Sequence, residues 1–258
     1  MKKIDLIEYK RLLILLLKEI DTFCNEKELT YYLDSGTLLG AVRHHGFIPW
    51  DDDIDLAMPR EDYEQFINTF NSKNGEIISF KSNSQYFYPY AKVNYKRSKV
   101  IEVELPQIDG LGVNIDIFPL DGMPNQLYLR RIHQDFLMFL NKTRALMVRI
   151  KRKVPCYLKP LFRWKLLVFW IDKLGKKYSI KNSLFCGNIV ATTVRHKEIP
   201  IQCFNSTVYV DFEDGKYPAM SGYDEYLRRL YGDYMKLPPK EKQVARHNIE
   251  AYVEDEEY

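Results

Sequence analysis

Asp34-Ser35-Gly36-Thr37-Leu38-Leu39-Gly40-Ala41-Val42-Arg43, followed by Trp50-Asp51-Asp52-Asp53-Ile54-Asp55-Leu56, is the stretch that decides the fold. Tyr31-Tyr32-Leu33-Asp34 predicts a short strand, and residues 36–45 a helix closed by Gly46. Residues 48–58 predict a second strand, and Pro59 opens a helix with Tyr63, Phe66, Ile67 and Phe70 on one face. Side chains alternate along a strand, so Asp51, Asp53 and Asp55 would share one face while Asp52, Ile54 and Leu56 share the other. Carboxylates in a row repel one another unless cations sit between them, and hard oxygen ligands favour Mg²⁺ or Mn²⁺ bridged to substrate phosphates.

A third acid is expected from a neighbouring strand. Val113-Asn114-Ile115-Asp116-Ile117-Phe118 supplies Asp116, whose apolar neighbours imply that it needs a partner. Two ions held by Asp53, Asp55 and Asp116 would suit phosphoryl transfer, with Asp116 also the candidate base for an acceptor hydroxyl. A calcium loop is excluded, because no glycine or distal glutamate follows the acids at the required spacing. Upstream, Ser35, Gly36 and Thr37 occupy a strand-to-helix turn whose backbone N–H groups can hold phosphate, although many helices simply start this way.

Working outward, residues 4–23 read as an amphipathic helix rather than an export signal, since Asp5, Glu8, Lys10 and Arg11 interrupt the approach to the Leu12–Leu17 run, Lys18 and Glu19 end it, and no small-residue cleavage site follows. No apolar run approaches the roughly 18 residues that span a bilayer. Strands are expected near residues 77–80, 88–95, 99–105 and 112–118, then a helix over 125–152 and a mainly helical remainder with one strand at 207–212. The expected class is α+β: a catalytic core over 1–124 with a mixed sheet flanked by helices, and a mainly helical part over 125–258 that completes the site as one continuous unit.

The net charge of +3 conceals an asymmetry. Residues 142–177 hold 12 Lys or Arg against one acid, Asp172, so this stretch carries +11 and the remainder −8. Its basic and bulky apolar residues fit a core helix with a solvated basic face, a peripheral contact with an anionic membrane, or a surface for an anionic glycan. No nucleic-acid motif accompanies the charge. With no export signal, the expected location is the cytoplasm, at the inner membrane face. Cys24, Cys156, Cys186 and Cys203 are widely spaced, which suggests buried thiols rather than a zinc site with His196.

The segments Ser35–Gly40, Trp50–Asp55 and Asp116-Ile117-Phe118-Pro119-Leu120-Asp121-Gly122, with Tyr231-Gly232-Asp233-Tyr234-Met235 and Leu237-Pro238-Pro239, resemble the LicD family. That family includes bacterial phosphocholine transferases and is related to fukutin and fukutin-related protein. The resemblance runs from about residue 30 to residue 247. It implies a nucleotidyltransferase-type fold and transfer of a phospho-alcohol from a CDP-linked donor to a surface glycan. CDP-choline is the expected donor, a CDP-polyol such as CDP-glycerol or CDP-ribitol the alternative, and the acceptor a glycan such as lipopolysaccharide, teichoic acid or capsule precursor, lipid-linked or not. By resemblance Asp53 and Asp55 are the paired metal ligands and Asp116 the third acid. The superfamily turn reads Gly-Ser or Gly-Gly, and Gly36-Thr37 departs from it while keeping a hydroxyl beside the glycine. A catalytically inactive glycan-binding protein is the non-enzymatic alternative.

Four further substrate contacts are candidates. Arg43 follows the turn and can meet a donor phosphate or simply be solvated. Lys92 lies in the aromatic strand Tyr88-Pro89-Tyr90-Ala91-Lys92-Val93 and can point into the same cleft. Trp50 adjoins the acids. His247, beyond the Leu-Pro-Pro turn, is either near substrate or a hydrogen-bonded structural histidine. A choline head group calls for an aromatic cage, for which Trp50 and Tyr86, Phe87, Tyr88 and Tyr90 are candidates, although aromatic runs of this kind more often pack a core or strand.

Overall fold

The computed structural model describes residues 1–103, 105–154, 164–191, 198–244 and 248–254. After β1 (Lys2–Lys3), helix α1 (Leu6–Glu26) starts where the Asp5 carboxylate accepts the Glu8 N–H at 2.9 Å, a cap worth about 1 kcal/mol. Leu12, Leu13, Leu16, Leu17 and Ile20 recur at helical spacing and are all buried, which places the leucine run in the core. No helix among the described residues is long and apolar enough to cross a membrane.

Then follow β2 (Tyr32–Leu33), α2 (Ser35–His44), β3 (Asp55–Pro59), α3 (Arg60–Thr69), β4 (Gly75–Ile78), β5 (Ala91–Tyr95), β6 (Ser98–Glu102) and β7 (Asn114–Gly122). The main sheet has the order β2-β3-β7-β5-β4. Its central pair, β3 and β7, is parallel and its other neighbours antiparallel, so the sheet is mixed, and the expected α+β class is what forms. Ile115, Ile117 and Leu120 of β7 are buried beneath flanking helices, as a strand covered on both faces requires.

Two local expectations are corrected. The second strand does not run over 48–58. It begins at Asp55, and Asp51, Asp52 and Asp53 lie in the segment leading into it. Adjacent aspartates are poor ladder residues, and this segment instead folds back over the start of α2. The same helix ends at His44, with His45 rather than Gly46 in the left-handed region at φ 59°. Gly46 packs against the Glu213 side chain, which would have to move to admit a Cβ there, 2.3 Å from its Oε1.

Among its described residues, the part after residue 124 holds α4 (Leu127–Lys153), α5 (Trp164–Gly175) and α6 (Tyr223–Tyr231), but also five strands. These are β8 (Phe185–Gly187), β9 (Ile199–Pro200), β10 (Thr207–Phe212), β11 (Gly215–Met220) and β12 (Ile249–Val253). β8 extends the main sheet from the end of β7, β10 and β11 form a hairpin, and β12 lies between β1 and β6. "Mainly helical" therefore leaves out strands of this part, of which β8 and β12 pair with strands of the first while β10 and β11 pair with each other.

A charged network ties α3 to β7 and α5. Arg60 donates through Nε and Nη2 to the two oxygens of Asp121, at 2.7 and 2.6 Å, and through Nη1 to Asp172 at 3.0 Å. Lys176 bridges Asp172 and Glu64, each at 2.7 Å, and Lys81 reaches Glu64 at 2.9 Å. Burial works to raise the Glu64 carboxyl, but hydrogen bonds from Lys176 and Lys81 outweigh it and push its pKa from the usual 4.5 down to about 2. A depressed acid adds stability above its unfolded pKa and loses it as pH falls toward the folded one. Thermal denaturation of Glu64→Gln and wild type should therefore differ at pH 6 and converge between about pH 4.5 and 2; a constant difference would assign no such role to the carboxylate.

Candidate active site

The site grows from a row of residues across three neighbouring strands. In the parallel β3/β7 pair Asp55 stands beside Asp116, and in the antiparallel β5/β7 pair Asp116 stands beside Lys92. Lys92 Nζ meets Asp116 Oδ1 at 2.6 Å and Asn114 Oδ1 at 2.9 Å, and lies 5.0 Å from the centre of the Tyr88 ring. Lys92 is therefore the partner that the Asp116 charge required. Burial works against the Lys92 charge, yet Asp116 outweighs it and holds the amine above its usual range.

Asp55 stands one strand further from that cation, with Asp116 between them. Burial, then repulsion from Asp53 and Asp116, holds its carboxyl well above the ordinary range. The carboxylates of Asp51, Asp52 and Asp53 converge so that one oxygen from each lies within 4.8 Å of the others. Crowded carboxylates with an all-oxygen donor set fit a hard divalent ion, Mg²⁺ or Mn²⁺. The sequence placed Asp51, Asp53 and Asp55 on one strand face. In the structure the loop and the strand each supply part of that acidic surface.

The preceding turn is built to hold this loop. Asp34 is buried, accepts hydrogen bonds from the Tyr226 hydroxyl and from Ser35 Oγ (3.2 Å), and its backbone N–H donates to the Asp55 carbonyl at 2.9 Å. Ser35 adopts φ 46°, a left-handed conformation that costs a non-glycine residue on the order of 1–3 kcal/mol and clusters at functional turns. Gly36 is where side-chain space runs out, since a Cβ would sit 2.8 Å from Asp51 Oδ2. A carboxylate of the same chain thus approaches Gly36 closely. Thr37 is buried, and its hydroxyl accepts the Asp55 N–H at 2.8 Å, fastening the turn to the acidic strand.

A cleft of about 690 Å³ opens beside these residues. Ser35, Gly36, Arg43, Trp50, Asp53 and Asp55 line it from the first part of the chain. The Arg43 guanidinium donates through Nη1 to the Tyr234 carbonyl at 2.6 Å and through Nε to His44 Nε2 at 2.9 Å, so it braces the cleft as well as facing it. Trp50 packs edge-on to His44, with ring centres 6.5 Å apart. Residues 231–242 complete the wall with Tyr231, Asp233, Tyr234, Lys236 and Lys242. These were not singled out as site residues, although the Tyr231–Met235 and Leu237-Pro238-Pro239 motifs pointed to the segment. His247 lies outside the described residues, as do Cys156 and His196. Tyr86 and Phe87 are buried in the main core and do not line the cleft, where the aromatic residues are Trp50, Tyr231 and Tyr234.

Comparison with known proteins agrees with this geometry. Residues 28–143, which hold the turn, the acidic loop, β3 and β7, match the family described as LicD/FKTN/FKRP, nucleotidyltransferase domain. The chain is 31% identical over 270 aligned positions to the lipopolysaccharide cholinephosphotransferase LicD of Haemophilus influenzae, covering 98% of this chain and 100% of that protein. It therefore belongs to the LicD family, and with it to the enzymes that transfer substituted phosphate groups. A shorter likeness, 32% over 78 residues, is to the human ribitol 5-phosphate transferase FKRP, and covers 29% of this chain and 16% of that protein.

Proposed function

We propose that this protein transfers phosphocholine from CDP-choline to a hydroxyl of a cell-surface glycan and releases CMP. The observation that carries the reading is the strand register, which sets Asp116 beside Asp55, itself a lining residue of the cleft together with Asp53. Asp53, Asp55 and Asp116 would hold Mg²⁺ or Mn²⁺, with Asp51 close enough to Asp53 to share an ion. Such ions, when bound, neutralise charge on the diphosphate and on the departing CMP.

The residues of the chain account for the remaining steps. Lys236, Lys242 and Arg43 give the cleft the positive charge that a diphosphate needs. Trp50, Tyr231 and Tyr234 offer ring faces for a quaternary ammonium. The acceptor oxygen forms a bond to the phosphorus that bears choline, the bond from that phosphorus to the CMP oxygen breaks, and the acceptor proton passes to Asp116. Lys92 fixes the Asp116 carboxylate for that task.

A second reading, phosphopolyol transfer from CDP-ribitol or CDP-glycerol, is favoured by the likeness to the ribitol 5-phosphate transferase. Purified protein with Mg²⁺ or Mn²⁺, acceptor glycans and a panel of CDP-alcohols separates the two. Acceptor-dependent CMP release with CDP-choline is expected. Release only with a CDP-polyol transfers the assignment to the second reading, and release with no donor overturns both.

A further inference from the structure

Helix α4 buries polar side chains and exposes apolar ones. The side it turns inward carries Arg130, His133, Gln134, Asn141 and Arg144, all buried, alongside Leu137 and Val148. Several of these find carbonyl partners: Arg130 on Pro124 at 2.9 Å, Asn141 on Val190 at 2.7 Å and Arg144 on Phe87 at 2.8 Å. The side it turns outward carries Tyr128, Ile132, Phe136, Phe139, Leu146 and Ile150, all exposed, Tyr128 by 73% and Phe139 by 61%. At 100° per residue these six fall in one stripe along the helix. On α5, Leu166, Phe169 and Trp170 are exposed as well. Of the 21 exposed large hydrophobic residues among those described, 11 lie on α4 and α5, a concentration that scattered surface residues do not produce.

We propose that the outward face of α4, with the exposed side chains of α5, docks on an anionic membrane surface. Charge decides this occupant. Exposed Arg131, Lys142 and Arg149 run alongside the apolar stripe, and α4 holds a single acid, Asp135, in 27 residues. On α5, Lys173 Nζ lies 4.9 Å from the centre of the Trp170 ring, so a cation and an amphipathic ring are held together as at a bilayer interface. A second copy of the chain would bring the same basic rows face to face and repel, whereas an anionic bilayer accepts rings and cations together. The expectation of a peripheral contact over 142–177 is thereby sharpened: the apolar stripe begins at Tyr128, ahead of that segment.

Vesicle sedimentation of the full chain tests the surface, using phosphatidylcholine alone and phosphatidylcholine mixed with phosphatidylglycerol. Binding to the anionic vesicles is expected, weakening as salt rises. Each cation near the surface contributes about fivefold to partitioning, so Lys142→Glu with Arg149→Glu should lower it by tenfold or more. Phe136→Ser with Phe139→Ser should do likewise while leaving the circular dichroism and Tm unchanged, because both rings are exposed. No binding to anionic vesicles overturns the proposal, as does a dimer by light scattering that the serine variant dissolves in the absence of lipid binding. The measurement uses neither donor nor acceptor, so it stands or falls separately from the transfer reaction.

Discussion

Asp55→Asn is expected to lower CMP release on the order of a thousandfold while leaving the protein at least as stable as wild type. The two effects have one origin. Asp55 is buried and crowded by Asp53 and Asp116, all of which disfavour its charged form. Exchanging its charge for an amide of the same shape removes that repulsion, which relieves the fold, and removes a ligand for Mg²⁺ or Mn²⁺, which disables the site. Differential scanning fluorimetry with and without Mg²⁺ separates the contributions. Wild type should gain Tm on adding the ion, since a ligand bound only by the native state stabilises it by mass action, and Asp55→Asn should gain less. Full activity in the variant, or an equal Tm shift in both proteins, would remove Asp55 from the metal site. Asp53→Asn extends the test to the alternative of an inactive glycan-binding protein, which predicts unchanged function.

How much of this site could be read beforehand depends on the range of the forces involved. The helix over 127–153 and the strand at 207–212 were legible because local periodicity and β-branched residues specify them. Asp116 was legible as a charge in need of a partner, and the partner is Lys92, one strand away. The misreadings share a cause in tertiary pairing. Strand periodicity runs on through Asp51-Asp52-Asp53, but no strand pairs there, and the segment serves the cleft instead. β11 was hidden by Pro218, which weakens a strand signal yet sits opposite Tyr209 in a two-stranded hairpin, where its missing N–H is tolerated. β12 pairs with β6 and β1, at the far end of the chain. Contacts of that span leave no local mark. Thr37 was singled out for the backbone N–H groups of its turn; the bond its hydroxyl accepts from the Asp55 N–H was not legible, because it depends on a strand 18 positions on.

Asp121→Ala should show the opposite pattern to Asp55→Asn, with stability lost and chemistry kept. Asp121 belongs to the same sequence motif as Asp116, yet it is buried under α3 and α5 and both its oxygens are taken by the Arg60 fork. Breaking one side of a buried pair leaves a desolvated charge and costs about 3–5 kcal/mol. For a chain of this size that is roughly 10 °C or more in Tm. Asp172 and Glu64 remain near Arg60 at 3.0 and 3.3 Å, which keeps the loss toward the lower end of the range. Arg60→Lys should recover little, because a single ammonium cannot replace two parallel hydrogen bonds to one carboxylate. Gly122 and Gly175 beside the pair leave no room for repacking, since a Cβ on either would come within 3 Å of a neighbour. At a temperature where the variant is folded, its CMP release should match wild type. Loss of activity without loss of Tm would instead bring Asp121 into the catalytic machinery, and the acidic surface would then extend along β7 beyond Asp116.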